Sequence, residues 1–140
     1  MEYMLYIFGI YIMLMIWNDL YLAAKGVLNP KEVSNSVEVG GVAAAILTDT
    51  GNIYTGVCID TACSLGMCAE RNAIGSMLTS GDVKVVKLLC IGRDNNLMMP
   101  CGACRELLMQ LGNIDMEIIT DLETKSVVKL GDLMPNWWKI

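Results

Sequence analysis

Apolar positions recur along this chain with two periods, and the alternation between them outlines the fold. Leu20, Ala23, Ala24, Val27 and Leu28 fall at helical spacing. Asn18 or Asp19 stands ready to cap that helix and Asn29-Pro30 to stop it. Residues 39–47 are small or β-branched, Asp49-Thr50-Gly51-Asn52 supplies turn chemistry, and residues 53–59 resume a strand pattern, which predicts a hairpin. From Cys68 to about residue 79, Ala73, Ile74, Met77 and Leu78 form one helical stripe, which Ser80-Gly81-Asp82 ends. A buried strand is expected over 83–91, then a polar loop over 93–96. A second such helix runs from about 101 to 111, with Leu107, Leu108 and Leu111 facing inward, and short strands near 116–119 and 126–130 complete the set. A hairpin followed by alternating helices and strands predicts an α/β fold of three layers, α/β/α, around a mixed sheet of five strands.

Composition narrows what this fold does. At 140 residues and 54 % hydrophobic, the chain has the size and apolar content of one domain, residues 18–140, with a single core. Ten basic against fifteen acidic residues give a net charge of −5 with no long basic cluster, which disfavours duplex nucleic acid as a partner and argues for a small substrate. The absence of histidine removes Ser-His, Cys-His and His-metal constellations, so a transition-metal site must rest on cysteine and carboxylate. Six cysteines in a chain able to build its own core are expected to be reduced thiols of a cytoplasmic protein.

Residues 3–17 stand apart: 15 in succession carry no charge and one glycine. That is shorter than the roughly 20 residues of a membrane-spanning helix. With Glu2 as its only early charge and no convincing small-residue cleavage site before Asn18, it reads only weakly as a secretory signal. The expectation is an N-terminal extension from an upstream start, with Met13 or Met15 as the natural beginning; a helix packed on a partner and a membrane-associated segment stay open.

The chemistry gathers at two predicted helix starts, Cys68-Ala69-Glu70 and Pro100-Cys101-Gly102-Ala103-Cys104. A C-x-x-C pair at a helix N-terminus lets two thiolates face one ion while unpaired backbone N–H groups and the helix dipole stabilise their charge. Cys68 is placed to add a third. Three protein ligands on tetrahedral zinc leave the fourth position open, as a catalytic site requires. Glu70 is two residues past a ligand, so it sits beside the metal rather than on it, suited to proton transfer. Three thiolates and a dication sum to about −1, which makes Arg71 and Arg105, each directly after a motif, the candidates to balance charge.

These residues carry a resemblance. Cys68-Ala69-Glu70-Arg71 and Pro100-Cys101-Gly102-Ala103-Cys104-Arg105, with about thirty residues between them, resemble the paired signatures of the zinc-dependent cytidine deaminases. The likeness extends from roughly Val42 to Trp138, including Gly56-Val57 and Asp132-Leu133-Met134-Pro135. It implies attack of activated water on C4 of a cytosine ring, with Glu70 protonating N3 and then the leaving ammonia, and Ala69's backbone touching the base. It also implies Zn2+ as cofactor, a cytosine nucleoside as substrate, a role in pyrimidine salvage, and a homotetramer.

The chain departs from the family where the sugar is bound. The family's Asn-x-Glu is replaced by Cys58-Ile59-Asp60. Asp60 keeps a carboxylate one methylene shorter, but Cys58 cannot present the donors and acceptor of an amide. The following loop is one residue short, and Trp137 or Trp138 stands where the family has a C-terminal phenylalanine. A modified cytosine nucleoside, as in the blasticidin S deaminase-like members, is therefore the alternative substrate. Two blander readings are a closed zinc site with a fourth sulfur from Cys58 or Cys63, and a non-catalytic zinc module. Cys63 and Cys90 are expected to be small buried hydrophobes, Met98 and Met99 filler, and Trp137 and Trp138 packing residues.

Overall fold

The computed structural model describes residues 1–139. Its first helix, α1 (Glu2–Val27), is longer than expected, because nothing in the apolar stretch breaks it and Asn18 does not start a new one. The Asn18 side-chain carbonyl instead accepts a hydrogen bond from Lys125 Nζ at 3.0 Å. Residues 3–8 are exposed on every side of this helix. Trp17, Leu20 and Ala24 are fully buried, and the Lys87 ammonium lies 4.8 Å from the Trp17 ring centre. By length and composition α1 is apolar enough to cross a membrane. It ends where the sequence predicts, with Leu28 extended before Asn29-Pro30.

The sheet has six strands: β1 (Lys31–Ser34), β2 (Val37–Thr48), β3 (Ile53–Thr61), β4 (Val85–Gly92), β5 (Glu117–Ile119) and β6 (Val127–Lys129). The expected five are present and β1 is the addition. All four of its residues are exposed, so it has no apolar alternation to betray it. It exists because backbone groups pair with residues 37–39 of β2. β2 is central, antiparallel to β1, β3 and β4, while β4 and β5 run parallel and β5 and β6 antiparallel.

Helices α2 (Ala69–Thr79) and α3 (Gly102–Gln110) cover the face opposite α1. The pleat sorts β2 between the two layers: Ala44 and Ile46 join the core on the α2 and α3 side, Ala43 and Ala45 the core beneath α1. Leu108 is buried as expected, Leu107 and Leu111 are partly so, and Leu78 faces solvent. The C-terminus closes over α3, where the Trp137 and Trp138 indole N–H groups both donate to the Glu106 carboxylate, at 2.9 and 2.7 Å.

Two glycines allow the close approaches that set the site. Gly40 has φ +77°, and a Cβ there would lie 2.3 Å from the Asn29 carbonyl oxygen. A Cβ on Gly56 would lie 2.3 Å from the Ala73 amide nitrogen and 2.5 Å from the Ala69 carbonyl oxygen, so α2 rests directly on β3. Asn72 Nδ2 donates to the Val57 carbonyl at 3.0 Å across the same seam. Gly56→Ala must push two backbones apart and is expected to destabilise the fold by about 1–3 kcal/mol, read from the midpoint of denaturant unfolding; an unchanged midpoint would contradict this packing.

Candidate active site

Cys68 and Cys101 are the N-caps of α2 and α3, so the positive ends of two helices converge on the same space. Cys104 follows one turn into α3, fully buried. The sulfurs of Cys68 and Cys101 are 3.4 Å apart, those of Cys101 and Cys104 3.5 Å, and all three lie within 4.8 Å of one another. Zinc–sulfur bonds of about 2.3 Å at tetrahedral angles hold sulfurs about 3.8 Å apart, so this triad fits one zinc ion with little adjustment. No fourth cysteine, carboxylate or other ligand joins the triad among the described residues. The four-sulfur alternative is thus not built: the Cys58 sulfur accepts the Val42 N–H at 3.2 Å and donates to Asp60 Oδ2 at 3.3 Å, and Cys63 is exposed beside Thr61. All six cysteines are free thiols.

The sulfurs do not ionise alike. Burial opposes the Cys101 thiolate, but the Cys104 amide and the neighbouring thiols more than offset it, so Cys101 is held below the usual thiol range. Burial pushes Cys68 and Cys104 up, Cys68 further raised by Cys101 and Cys104 by the Glu70 charge. A dication held between them would deprotonate all three thiols, since coordination does so outright.

Glu70, in the first turn of α2, is 4 % exposed and reaches the same cavity as Cys68 and Cys101. Burial raises its carboxyl above the ordinary glutamate range, favouring the protonated form relative to a free glutamate. Arg71 lies against the sulfurs, its guanidinium held up in pKa chiefly by Cys68, and its Nε is buried without a partner among the described residues. Arg105 Nε donates to the Pro100 carbonyl at 2.7 Å, bracing the loop before Cys101.

The cavity, about 320 Å³, is in the range of a small-ligand site. Its lining includes the anticipated Cys58, Asp60, Cys68, Ala69, Glu70 and Arg71. Cys90, buried in its wall, is the packing thiol the sequence suggested, held up in pKa by burial and by Glu70. Cys63 is exposed rather than buried, because the 61–65 loop turns away from the core. Met98 and Met99, taken as filler, line the cavity instead, and so do Gly41 and Arg93, which no local pattern marks. The return of the chain after β4 brings Arg93, Met98 and Met99 to the same cavity as Gly41, which lies in the bulge of β2 between Val39 and Ala43.

Residues 19–120 match the family model described as the cytidine and deoxycytidylate deaminase zinc-binding region. The chain is 30 % identical over 96 residues to a cytidine deaminase of Mycobacterium tuberculosis, covering 68 % of this chain and 70 % of that one. It is 35 % identical over 96 residues to a cytidine deaminase of Sporosarcina psychrophila, covering 64 % and 70 %. Its fold is similar to the crystal structure of cytidine deaminase from Mycobacterium tuberculosis, with a TM-score of 0.73 at 27 % identity over 89 % of this chain and 98 % of that one.

Proposed function

Because the chain belongs to the cytidine and deoxycytidylate deaminase family and is a zinc-dependent deaminase, we propose that it converts cytidine and deoxycytidine to the corresponding uracil nucleosides and ammonia. The observation that carries this reading is a three-sulfur cluster of which Cys68 and Cys101 line one cavity together with the buried Glu70 carboxylate. Cys68, Cys101 and Cys104 would hold the ion. Zinc bound there supplies Lewis acidity at an open position, lowering the pKa of water to about 7.

Glu70 does the rest by moving protons. It accepts one proton from water as the oxygen bonds to C4 and delivers it to N3; it then takes the proton of the new C4 hydroxyl and passes it to the exocyclic amine as the C4–N bond breaks, leaving a C4 carbonyl and ammonia. The Arg71 guanidinium offsets the negative charge that three thiolates retain. The N-terminal amides of α2 and α3 favour the same anionic cluster. Ala69, buried at the start of α2, brings backbone to the cavity wall where a flat ring would lie.

The test is purified protein with bound zinc, cytidine as substrate, and both ammonia release and ultraviolet loss as readouts. Multiple turnovers are expected; a zinc-loaded enzyme releasing no ammonia from cytidine or deoxycytidine would remove this reading. A modified cytosine nucleoside is the second reading. It is favoured by Cys58, whose sulfur is already engaged by Val42 and Asp60. An analogue panel that shows no preference over cytidine would discard it. A homotetramer in the cytoplasm completes the proposal, and light scattering that returned a monomer would count against the assembly.

A further inference from the structure

The cavity has an outer end whose polar groups the deaminase chemistry does not use. Asp60, near the end of β3, and Arg93, directly after β4, line it and are exposed, whereas Glu70 is buried. Arg93 is held in place there. Its Nη2 donates to the Glu38 carboxylate, and its guanidinium lies across Gly41, where a Cβ would come within 3.0 Å of both Nε and Nη2. A side chain at position 41 would displace it.

The register adds a charge pattern. Glu38 of β2 stands opposite Asp60 of β3 on one side and opposite Glu32 of β1 on the other. Directly opposed residues share a face of the sheet, so three carboxylates form a row across three strands with the Arg93 guanidinium bound to the middle one. Cys58, between this end and the sulfurs, has its S–H directed at Asp60 and its lone pair occupied by Val42. At the outer end, therefore, Asp60 offers acceptors and Arg93 offers donors.

We propose that Arg93, positioned by Glu38, is a specificity-determining residue that with Asp60 binds the substituent on the cytosine ring and selects an uncharged, hydroxylated group over a phosphorylated one. The assignment rests on the deaminase reading, which turns the ring's amino end toward the sulfurs and its N1 substituent toward the outer end. A hydroxyl both donates and accepts, matching Asp60 and Arg93 together. A phosphate brings up to about two negative charges and no donor. It would meet the Asp60 carboxylate beside a guanidinium already shared with Glu38, and like charges so placed disfavour the wrong ligand.

The test uses the zinc-loaded full chain and steady-state kinetics on cytidine and cytidine 5′-phosphate for the wild type, Arg93→Met, Arg93→Lys and Glu38→Gln. The wild type is expected to prefer cytidine by about 100-fold or more in kcat/KM. Arg93→Met should raise KM for cytidine roughly tenfold with a smaller change in kcat, the loss of a charge-assisted hydrogen bond at an accessible site. Arg93→Lys should recover part of it. Glu38→Gln should narrow the discrimination against the phosphate, which a merely structural role for the pair would not do. An active wild type with Arg93→Met inside twofold of its cytidine KM, or one that accepts the phosphorylated substrate as readily as cytidine, overturns the assignment and leaves the deaminase reading standing. A wild type inactive on both overturns the two together.

Discussion

Glu70→Gln is expected to lower kcat for deamination by about three orders of magnitude while the protein keeps its zinc. The substitution preserves shape and removes only the ability to carry a proton, and general acid–base groups contribute roughly 10²–10⁴-fold. Glu70 is buried and lines the cavity. Glu70 lies one residue past Ala69 and two past Cys68 along α2, so a neutral amide there should not disturb the sulfur spacing. Ammonia release and metal content measured on the same sample decide the matter. Activity within tenfold of the wild type would take Glu70 out of the mechanism, and loss of zinc would make it a structural support instead.

Cys104→Ala is expected to have an effect as large by another route. Cys104 is fully buried between the core and the other two sulfurs, so no solvent group can take its place. Two sulfurs cannot reproduce the three-ligand geometry of a catalytic zinc site. Zinc stoichiometry should fall well below one per chain, and activity by at least about 100-fold, since losing even an outer partner of a ligand costs 10–100-fold. Stability should fall with it, because an ion bound only by the folded state stabilises that state by mass action. A chelator applied to the wild type should reproduce the loss of activity, and added zinc should reverse it in the wild type alone. Full zinc content in the variant would mean that the triad is not the binding site.

What was legible in the sequence was local. Cys68 and Cys101 each stand at a helix start because the apolar stripes of α2 and α3 begin just after them, and that pattern is written in consecutive residues. The 49–52 turn with Gly51 at φ +88° announces the hairpin in the same way. β1 was not legible, being wholly exposed and formed by pairing with β2 alone. The extent of α1 was misjudged because Asn18 has the chemistry of a cap, whereas the helix passes through it. Arg105 is marked in the sequence by its adjacency to Cys104, but its bond to the Pro100 carbonyl is a contact only the fold shows.

By itself, then, the sequence determined the class of chemistry: three sulfurs and a carboxylate in two short motifs, with no histidine to offer another site. Ligand type and helix-terminal position are properties of neighbouring residues, and they survive without knowledge of the fold. Only the tertiary structure decided what surrounds that centre. The convergence of two helix N-termini at sulfur spacing depends on α2 lying flat on Gly56, and the Arg93–Glu38 pair over Gly41 depends on residues 55 apart in the chain meeting beside the bulge in β2. Contacts of that kind are set by sheet register, which no run of consecutive residues encodes.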